Sequence, residues 1–165
     1  MSPNQESPLS LPSPFDRPRI KLVSTRLVPR KPTQAFVASS PDAAAQVLHR
    51  LVGHQDREHF VTLLLDVRNM VTHAHVVSVG TLTRADAHPR EVFKAAFLAN
   101  AAAVILGHNH PSGDVSPSPD DLRTFVRLRT AGELLGIVVL DALIVGPERR
   151  FYAGSTERVH DLARV

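Results

Sequence analysis

Cysteine is absent from this 165-residue chain. Its absence excludes disulfides and every zinc site with thiolate ligands, so a metal ion could be held only by His, Asp or Glu. Tryptophan is also absent, and aromatic residues make up only 5% of the chain. Because 43% of the residues are hydrophobic, one packed core built mainly from aliphatic side chains is still expected.

Long apolar runs are also missing. No stretch reaches the length needed to cross a bilayer, and the N-terminus lacks the apolar core of a signal peptide. We therefore expect a cytoplasmic protein without a membrane partner.

Positive charge is concentrated in residues 1–33. This segment has six basic and two acidic residues, so its net charge is +4. Because the net charge of the whole chain is +3, the remaining residues together carry −1. It is rich in Pro and Ser and has no apolar period. We predict a disordered, Pro-rich basic tail over 1–33 and a folded domain over 34–165. The tail could contact nucleic acid weakly through phosphates, although a solvated leader is the simpler interpretation.

Apolar spacing and capping residues predict the order helix, two strands, helix, strand, helix, strands. The predicted helices begin at Ser40-Pro41, Pro89 and Ser118-Pro119, and the last ends at Gly132 or continues to Gly136. The predicted strands cover 58–66 and 71–79 as a hairpin, then 101–106, 137–145 and 149–153, with a further short strand possible at 34–38. This order predicts an α/β fold with a mixed sheet flanked by helices.

The chemically informative segment is GHNHPSGDVSPSPDD, residues 107–121. His108 and His110 are two residues apart, so at a strand end both imidazoles point to one side. If Ser118 is the helix N-cap, Asp121 is the third helical residue and could face back toward them. Two His and one Asp would leave the fourth position of a tetrahedral Zn²⁺ open for water, as catalytic zinc sites require.

Two further residues complete this hypothesis. Glu58 opens an apolar strand that could lie beside the metal strand, where its carboxylate would act as general base. Ser118 could donate a hydrogen bond to the developing oxyanion. The structural alternative is a capping box, because Ser118 and Asp121 have the spacing of one and could be purely structural.

Other polar residues are interpreted as structural. His73 and His75 share the two-residue spacing but lack a nearby acidic helix start, which favours a solvated strand face. Five isolated histidines are interpreted as surface residues: His49, His54, His59, His88 and His160. Asp66 is expected to end a strand at a turn. Asp141 lies in an apolar run and needs partners, so it either satisfies backbone donors or itself supports the site from behind the ligands.

The spacing of His108, His110, Ser118 and Asp121 matches the JAMM motif H-x-H-x7-S-x2-D, with Glu58 upstream. Over about residues 40–152 the chain resembles the RadC-like branch of the JAB/MPN metallopeptidases. The resemblance is carried by sequence segments such as EHFVTLLLDVRN, HPREVFKAA and HNHPSGDVSPSPDD. The resemblance implies a cytidine-deaminase-like JAB/MPN domain. In it, His108, His110 and Asp121 bind zinc, Glu58 is the acid/base and Ser118 stabilises the tetrahedral intermediate.

The function implied is a zinc-dependent metallohydrolase that acts on a peptide or protein substrate and cleaves a peptide or isopeptide bond. Two alternatives stay open: a non-enzymatic JAB/MPN interaction module, and an accessory protein associated with DNA repair or mobile elements. The chain departs from the family at 1–33, which is too short and Pro-rich for the DNA-binding segment of longer members. It departs again at Ala142, where relatives usually have His after the Asp.

Overall fold

The structure is a computed structural model that describes residues 36–80 and 87–163. Within these ranges the chain forms three helices and seven strands. In chain order they are β1 Phe36–Val37, α1 Pro41–Val52, β2 His59–Leu65, β3 Met70–Val79, α2 Pro89–Leu98, β4 Ala103–Asn109, α3 Pro119–Leu135, β5 Val138–Val145, β6 Arg150–Ala153 and β7 Arg158–Asp161. The predicted tail, residues 1–33, lies outside the described residues and stays a prediction.

All seven strands belong to one sheet, in the order β1-β3-β2-β4-β5-β6-β7. Only the central β4–β5 pair is parallel, and the crossover between these two strands is α3. A parallel pair needs such a long connection, whereas the antiparallel β2–β3 pair is joined by a tight turn. The predicted mixed sheet flanked by helices is confirmed, and so is the hairpin.

The sheet separates two apolar clusters, one on each face. Helix α1 covers one face, where Leu48 packs with Leu63 and Ile105. Helices α2 and α3 cover the other face, where Phe93 and Leu128 pack with Leu64, Val104 and Leu106. Because strand side chains alternate between the faces, the odd residues of β2 face α1 and the even ones face α2 and α3. No helix in residues 36–80 and 87–163 is long and apolar enough to cross a membrane.

The helix starts follow the capping residues. Ser40 caps α1 by accepting a hydrogen bond from the backbone N–H of Ala43, and Ser118 caps α3 in the same way through Asp121. Helix α3 takes the longer of the two predicted ends. It passes through Gly132 and is closed by Gly136, whose left-handed φ of 71° suits a residue without a side chain.

Three details differ from the expectations. Strand β4 runs two residues past Gly107, which does not end the strand but lies inside it, against the side chain of Leu48. His49 is not a surface residue but is 8% exposed, since it lies on the buried face of α1. Strand β7 was not predicted, because its sequence, RVHD, is short and mostly polar.

Candidate metal centre

The register of β2 and β4 brings the upstream acid to the histidines. Phe60 pairs with His108 at the end of the antiparallel β2–β4 ladder. Continuing this register by two residues sets Glu58 opposite His110. Opposite residues of an antiparallel pair share a face, and this face is the one covered by α2 and α3. His108 is enclosed there by Phe60 and Phe125, whose ring centroids lie 6.0 and 5.7 Å from its own.

The two imidazoles point the same nitrogen at each other. The Nε2 atoms of His108 and His110 are 3.0 Å apart. Nδ1 of His110 lies 2.6 Å from the carbonyl oxygen of Asp114, which can only accept, so in the neutral ring Nδ1 carries the hydrogen and Nε2 keeps its lone pair. Nδ1 of His108 is buried, and within the described part of the chain it has no hydrogen-bond partner. The two rings therefore face each other through Nε2, and Nδ1 of His110 is bound from behind by the Asp114 carbonyl.

The third group comes from the first turn of α3. Asp121 is the third helical residue, as predicted, and its Oδ2 accepts hydrogen bonds from the Ser118 backbone N–H at 2.8 Å and from the Ser118 hydroxyl at 2.6 Å. The Asp121 N–H donates in turn to Ser118 Oγ at 3.2 Å. This reciprocal pair is a capping box with Asp in the place of Glu or Gln. It fixes the direction of the Asp121 carboxylate.

That carboxylate faces both imidazoles. Oδ1 of Asp121 lies 3.3 Å from Nε2 of His108, and Oδ2 lies 3.7 Å from Nε2 of His110. From the other side, Oε1 of Glu58 lies 3.5 Å from Nε2 of His110. Glu58, His108 and His110 form a group whose possible ligand atoms all lie within 4.8 Å of one another. The histidine pair thus lies between two carboxylates.

These separations fit a metal ion. Bonds of 2.0–2.2 Å at tetrahedral angles separate neighbouring ligand atoms by about 3.3–3.6 Å. The two Nε2 atoms are 3.0 Å apart, and His108 Nε2 lies 3.3 Å from Asp121 Oδ1, both close to this range, while His110 Nε2 lies 3.7 Å from the other Asp121 oxygen, Oδ2. When both imidazoles are neutral, as metal binding requires, ionised carboxylates beside them carry a negative charge that a divalent cation would balance. Glu58 could join as a ligand or act through a water molecule.

The electrostatics agree with this arrangement. Burial opposes ionisation of Asp121, but hydrogen bonds with His108, His110 and Ser118 outweigh burial and hold the pKa of Asp121 far below its usual range. Burial also lowers the pKa of His110, yet the Asp121 hydrogen bond, the Asp114 carbonyl and the Glu58 charge outweigh it and raise that pKa above its usual value. The Asp121 carboxylate is therefore ionised where it faces the rings, and a cation bound there would compete with protons on His110.

Asn109, between the two histidines, was missed by the sequence analysis. Its side chain is fully buried and bonds to three backbone groups of the segment that carries Glu58: it accepts from the His59 N–H at 2.8 Å and donates to the carbonyls of Arg57 and Gln55 at 3.0 and 3.3 Å. The available signal was an amide between two predicted metal ligands at the end of an apolar run, since a buried amide needs partners.

The structure brings Glu58, His108, His110, Ser118 and Asp121 together, while their roles stay predictions. His73, His75 and Asp141, which were interpreted as structural residues, have other surroundings. His73 is exposed on β3, and half-buried His75 faces Glu91 and Lys94 of α2. Asp141 satisfies backbone donors, which was the first of its two predicted roles. It accepts hydrogen bonds from the N–H groups of Ala142 and Ser155 and from the Ser155 hydroxyl.

A family model and several known proteins match this chain. The family model described as the RadC-like JAB domain matches residues 38–158. UPF0758 protein SH1266 of Staphylococcus haemolyticus is 42% identical over 132 residues, which are 80% of this chain and 57% of that protein. A UPF0758 protein of Rubrobacter xylanophilus is 46% identical over 127 residues, 77% of this chain and 56% of the relative.

An archaeal relative has similar coverage. A UPF0758 protein of Methanosarcina mazei is 44% identical over 111 residues, 67% of this chain and 48% of its own length. The chain thus spans about half the length of these relatives, and their names state no activity. The matched residues include the whole candidate metal centre, Glu58 to Asp121. From this match and the mixed α/β fold, we conclude that the chain belongs to the RadC-like JAB domain family.

Proposed function

We propose that this domain is a zinc-dependent metallohydrolase of the JAMM type that cleaves a peptide or isopeptide bond in a protein or peptide substrate. The observation that carries the proposal is the convergence of His108, His110 and Asp121, with Nε2–Nε2 and Nε2–carboxylate separations of 3.0, 3.3 and 3.7 Å. A Zn²⁺ ion held by these residues would supply an acidified water and a Lewis acid for the substrate carbonyl.

Glu58 is the proton carrier in this proposal. The residue is 7% exposed, and its carboxylate lies 3.5 Å from His110 Nε2, beside the ligands without being part of the capping box. In amide hydrolysis, it would accept a proton from the attacking water and return it to the leaving nitrogen. His110 is held for its role by the Asp114 carbonyl, which fixes the ring's orientation from its far side.

Ser118 has a single hydroxyl proton, and in this structure that proton is donated to Asp121 Oδ2. The contact supports a role for Ser118 in orienting the metal-binding carboxylate. Stabilisation of an oxyanion, the role that the family resemblance implies, requires the hydroxyl to turn toward the substrate, since it cannot donate to both oxygens at once. In that case the Ser118 backbone N–H would still hold Asp121.

Zinc content tests the metal site. Purified protein should contain about one zinc per chain by atomic absorption, as expected for a single set of ligands. The His108→Ala/His110→Ala variant should contain almost none. The matched control is His73→Ala/His75→Ala, which removes two histidines of the same spacing from β3 and should retain zinc. Equal and negligible zinc in all three proteins would contradict the proposal.

Hydrolysis is tested separately on a library of peptides and isopeptide-linked peptides, with and without a chelator. At saturating zinc, Glu58→Gln should still be loaded with the metal and should lower the cleavage rate by about 10²–10⁴-fold, the range typical of a lost general base. A Glu58→Gln protein with full activity would exclude this residue as the base. Bound zinc without chelator-sensitive cleavage would instead support the alternative of a non-enzymatic JAB/MPN interaction module.

A further inference from the structure

Asn109 is the last residue of β4 and lies between the two histidines, but its side chain leaves their face of the sheet. It is 0% exposed. The β2–β4 ladder ends at the Phe60–His108 pair, one position before His59 and Asn109 would meet. At this position the Asn109 side chain replaces the backbone ladder, because its Oδ1 accepts the hydrogen bond of the His59 N–H at 2.8 Å.

The Asn109 amide also holds the chain that leads into β2. Its Nδ2 donates to the Arg57 carbonyl at 3.0 Å and to the Gln55 carbonyl at 3.3 Å. All the hydrogen-bonding groups of this side chain except one acceptor lone pair are thereby used. The two shortest of these hydrogen bonds hold Arg57 and His59, the residues on either side of Glu58.

Glu58 itself is held from the neighbouring strand. Its carbonyl oxygen accepts a hydrogen bond of 2.8 Å from the Gly80 N–H at the end of β3. Asn109 and Gly80 together fix the backbone of Glu58 from both sides. A side chain on a fixed backbone has few staggered rotamers available, so the position of the carboxylate beside His110 follows from these contacts.

We propose that Asn109 is a positioning residue that acts on the metal centre through Glu58. This inference rests on the proposed function only in placing Glu58 beside a bound cation. The competing explanation is that Asn109 merely satisfies three buried backbone groups and stabilises the end of β2. The two explanations differ in one respect: a positioning effect disappears when the Glu58 carboxylate is absent, whereas a general structural effect does not.

A double-mutant cycle on zinc affinity separates them. The four full-length proteins are the wild type, Asn109→Leu, Glu58→Gln and the double variant, and each is first shown to be folded by thermal unfolding. Leucine has nearly the shape of asparagine and adds no charge near the metal. The dissociation constant for Zn²⁺ is then measured by competition with a chelator. Thr62→Val, which replaces a buried hydroxyl elsewhere in β2, serves as the control.

Asn109→Leu should weaken zinc binding by about tenfold in the wild-type background, as is usual for groups that orient a metal site. In the Glu58→Gln background it should cause no further loss, and Thr62→Val should bind zinc like the wild type. If Asn109→Leu does not fold, Asn109→Ser is used in the same cycle, since its smaller side chain leaves room for water.

The inference is overturned if the loss of affinity is equal in both backgrounds, or if folded Asn109→Leu binds zinc like the wild type. These results are distinguishable from failure of the proposed function. Zinc binding without cleavage contradicts the hydrolase proposal, but the double-mutant cycle can still be measured because it depends only on zinc affinity. Cleavage together with an additive cycle contradicts only the role of Asn109. A wild type that binds no zinc contradicts both.

Discussion

Ser118 and Asp121 exchange three hydrogen bonds, and the same Asp121 carboxylate lies 3.3 Å from His108 Nε2. The capping box and the metal site were alternative interpretations of these two residues. The structure shows that they are geometrically compatible, because a carboxylate has lone pairs enough to accept two hydrogen bonds and still face a cation. The start of α3 and the candidate metal centre therefore share one side chain.

The first prediction separates these two contributions. Ser118→Ala should destabilise the protein by about 1 kcal/mol, the usual cost of a lost N-cap. It should also weaken zinc binding, by about tenfold, because the Asp121 carboxylate loses the hydroxyl that orients it. Urea unfolding and a zinc competition titration measure the two effects.

Ser40→Ala is the matched control for this variant. Ser40 caps α1 with the same hydrogen bond, from the Ala43 N–H at 3.1 Å, but takes no part in the metal centre. It should lose similar stability and keep its zinc affinity. If both variants lowered zinc affinity equally, the effect of Ser118 would be one of stability alone.

The second prediction concerns the close approach of α1 to β4. A Cβ atom on Gly107 would lie 2.4 Å from Cδ1 of Leu48, which is fully buried. Gly107→Ala should therefore destabilise the protein by about 1–3 kcal/mol, as overpacking usually does. Thermal unfolding checks the loss. Adding Leu48→Val, which removes a methylene from the contact, should recover part of it, and a second substitution that only worsened stability would contradict this explanation.

The third prediction is a pH dependence that arises at His49. Burial lowers the pKa of His49, and the nearby His54 and Arg149 add to this, while the Pro147 carbonyl opposes it. Because the pKa is lower in the folded state, the unfolded chain binds more protons below the ordinary value of 6.5. The stability that neutral His49 contributes is thus fully present above that value and is lost as the pH falls through the folded pKa.

Urea unfolding across this pH range should therefore show a steeper loss of stability for the wild type than for His49→Gln, which cannot be protonated. An NMR titration of the His49 ring should give a midpoint below 6.5. Parallel stability curves for the two proteins would show that His49 does not cause the effect.

The fourth prediction concerns residues 1–33, outside the described part of the chain. If this segment contacts nucleic acid through phosphates, the full chain should bind duplex DNA weakly, with an affinity that falls steeply as salt increases. Replacing its six Lys and Arg residues by Gln should abolish the binding without changing zinc content. An unchanged gel shift after the replacement would rule out the tail as the contact.

Local signals allowed the helix starts and the hairpin to be predicted. Ser40, Pro89 and Ser118 mark helix starts through capping and backbone chemistry that involves only neighbouring residues. Asp66 likewise marks its turn, since its side chain accepts hydrogen bonds from the Arg68 and Met70 N–H groups. For the same reason, the placement of Asp121 in the first turn of α3 was readable from the Ser118 spacing.

Features set by contacts between distant segments could not be predicted. The pairing of β2 with β4, which sets Glu58 opposite His110, depends on a register between residues some fifty positions apart. The partners of Asn109, which stands between two histidines, and the Ser155 partner of Asp141 lie on other segments and cannot be read from the sequence. His49 was misassigned because a histidine on a helix reveals its burial only once the packing against the sheet is known.

The capping box at α3 couples the candidate metal centre to the folding of that helix. Release of a bound cation would remove one partner of the Asp121 carboxylate, so the restraint on the first turn would weaken with the ion's departure. Amide hydrogen exchange at the beginning of α3 should accordingly report whether the metal centre holds an ion. Exchange should become faster after chelation, even without substrate.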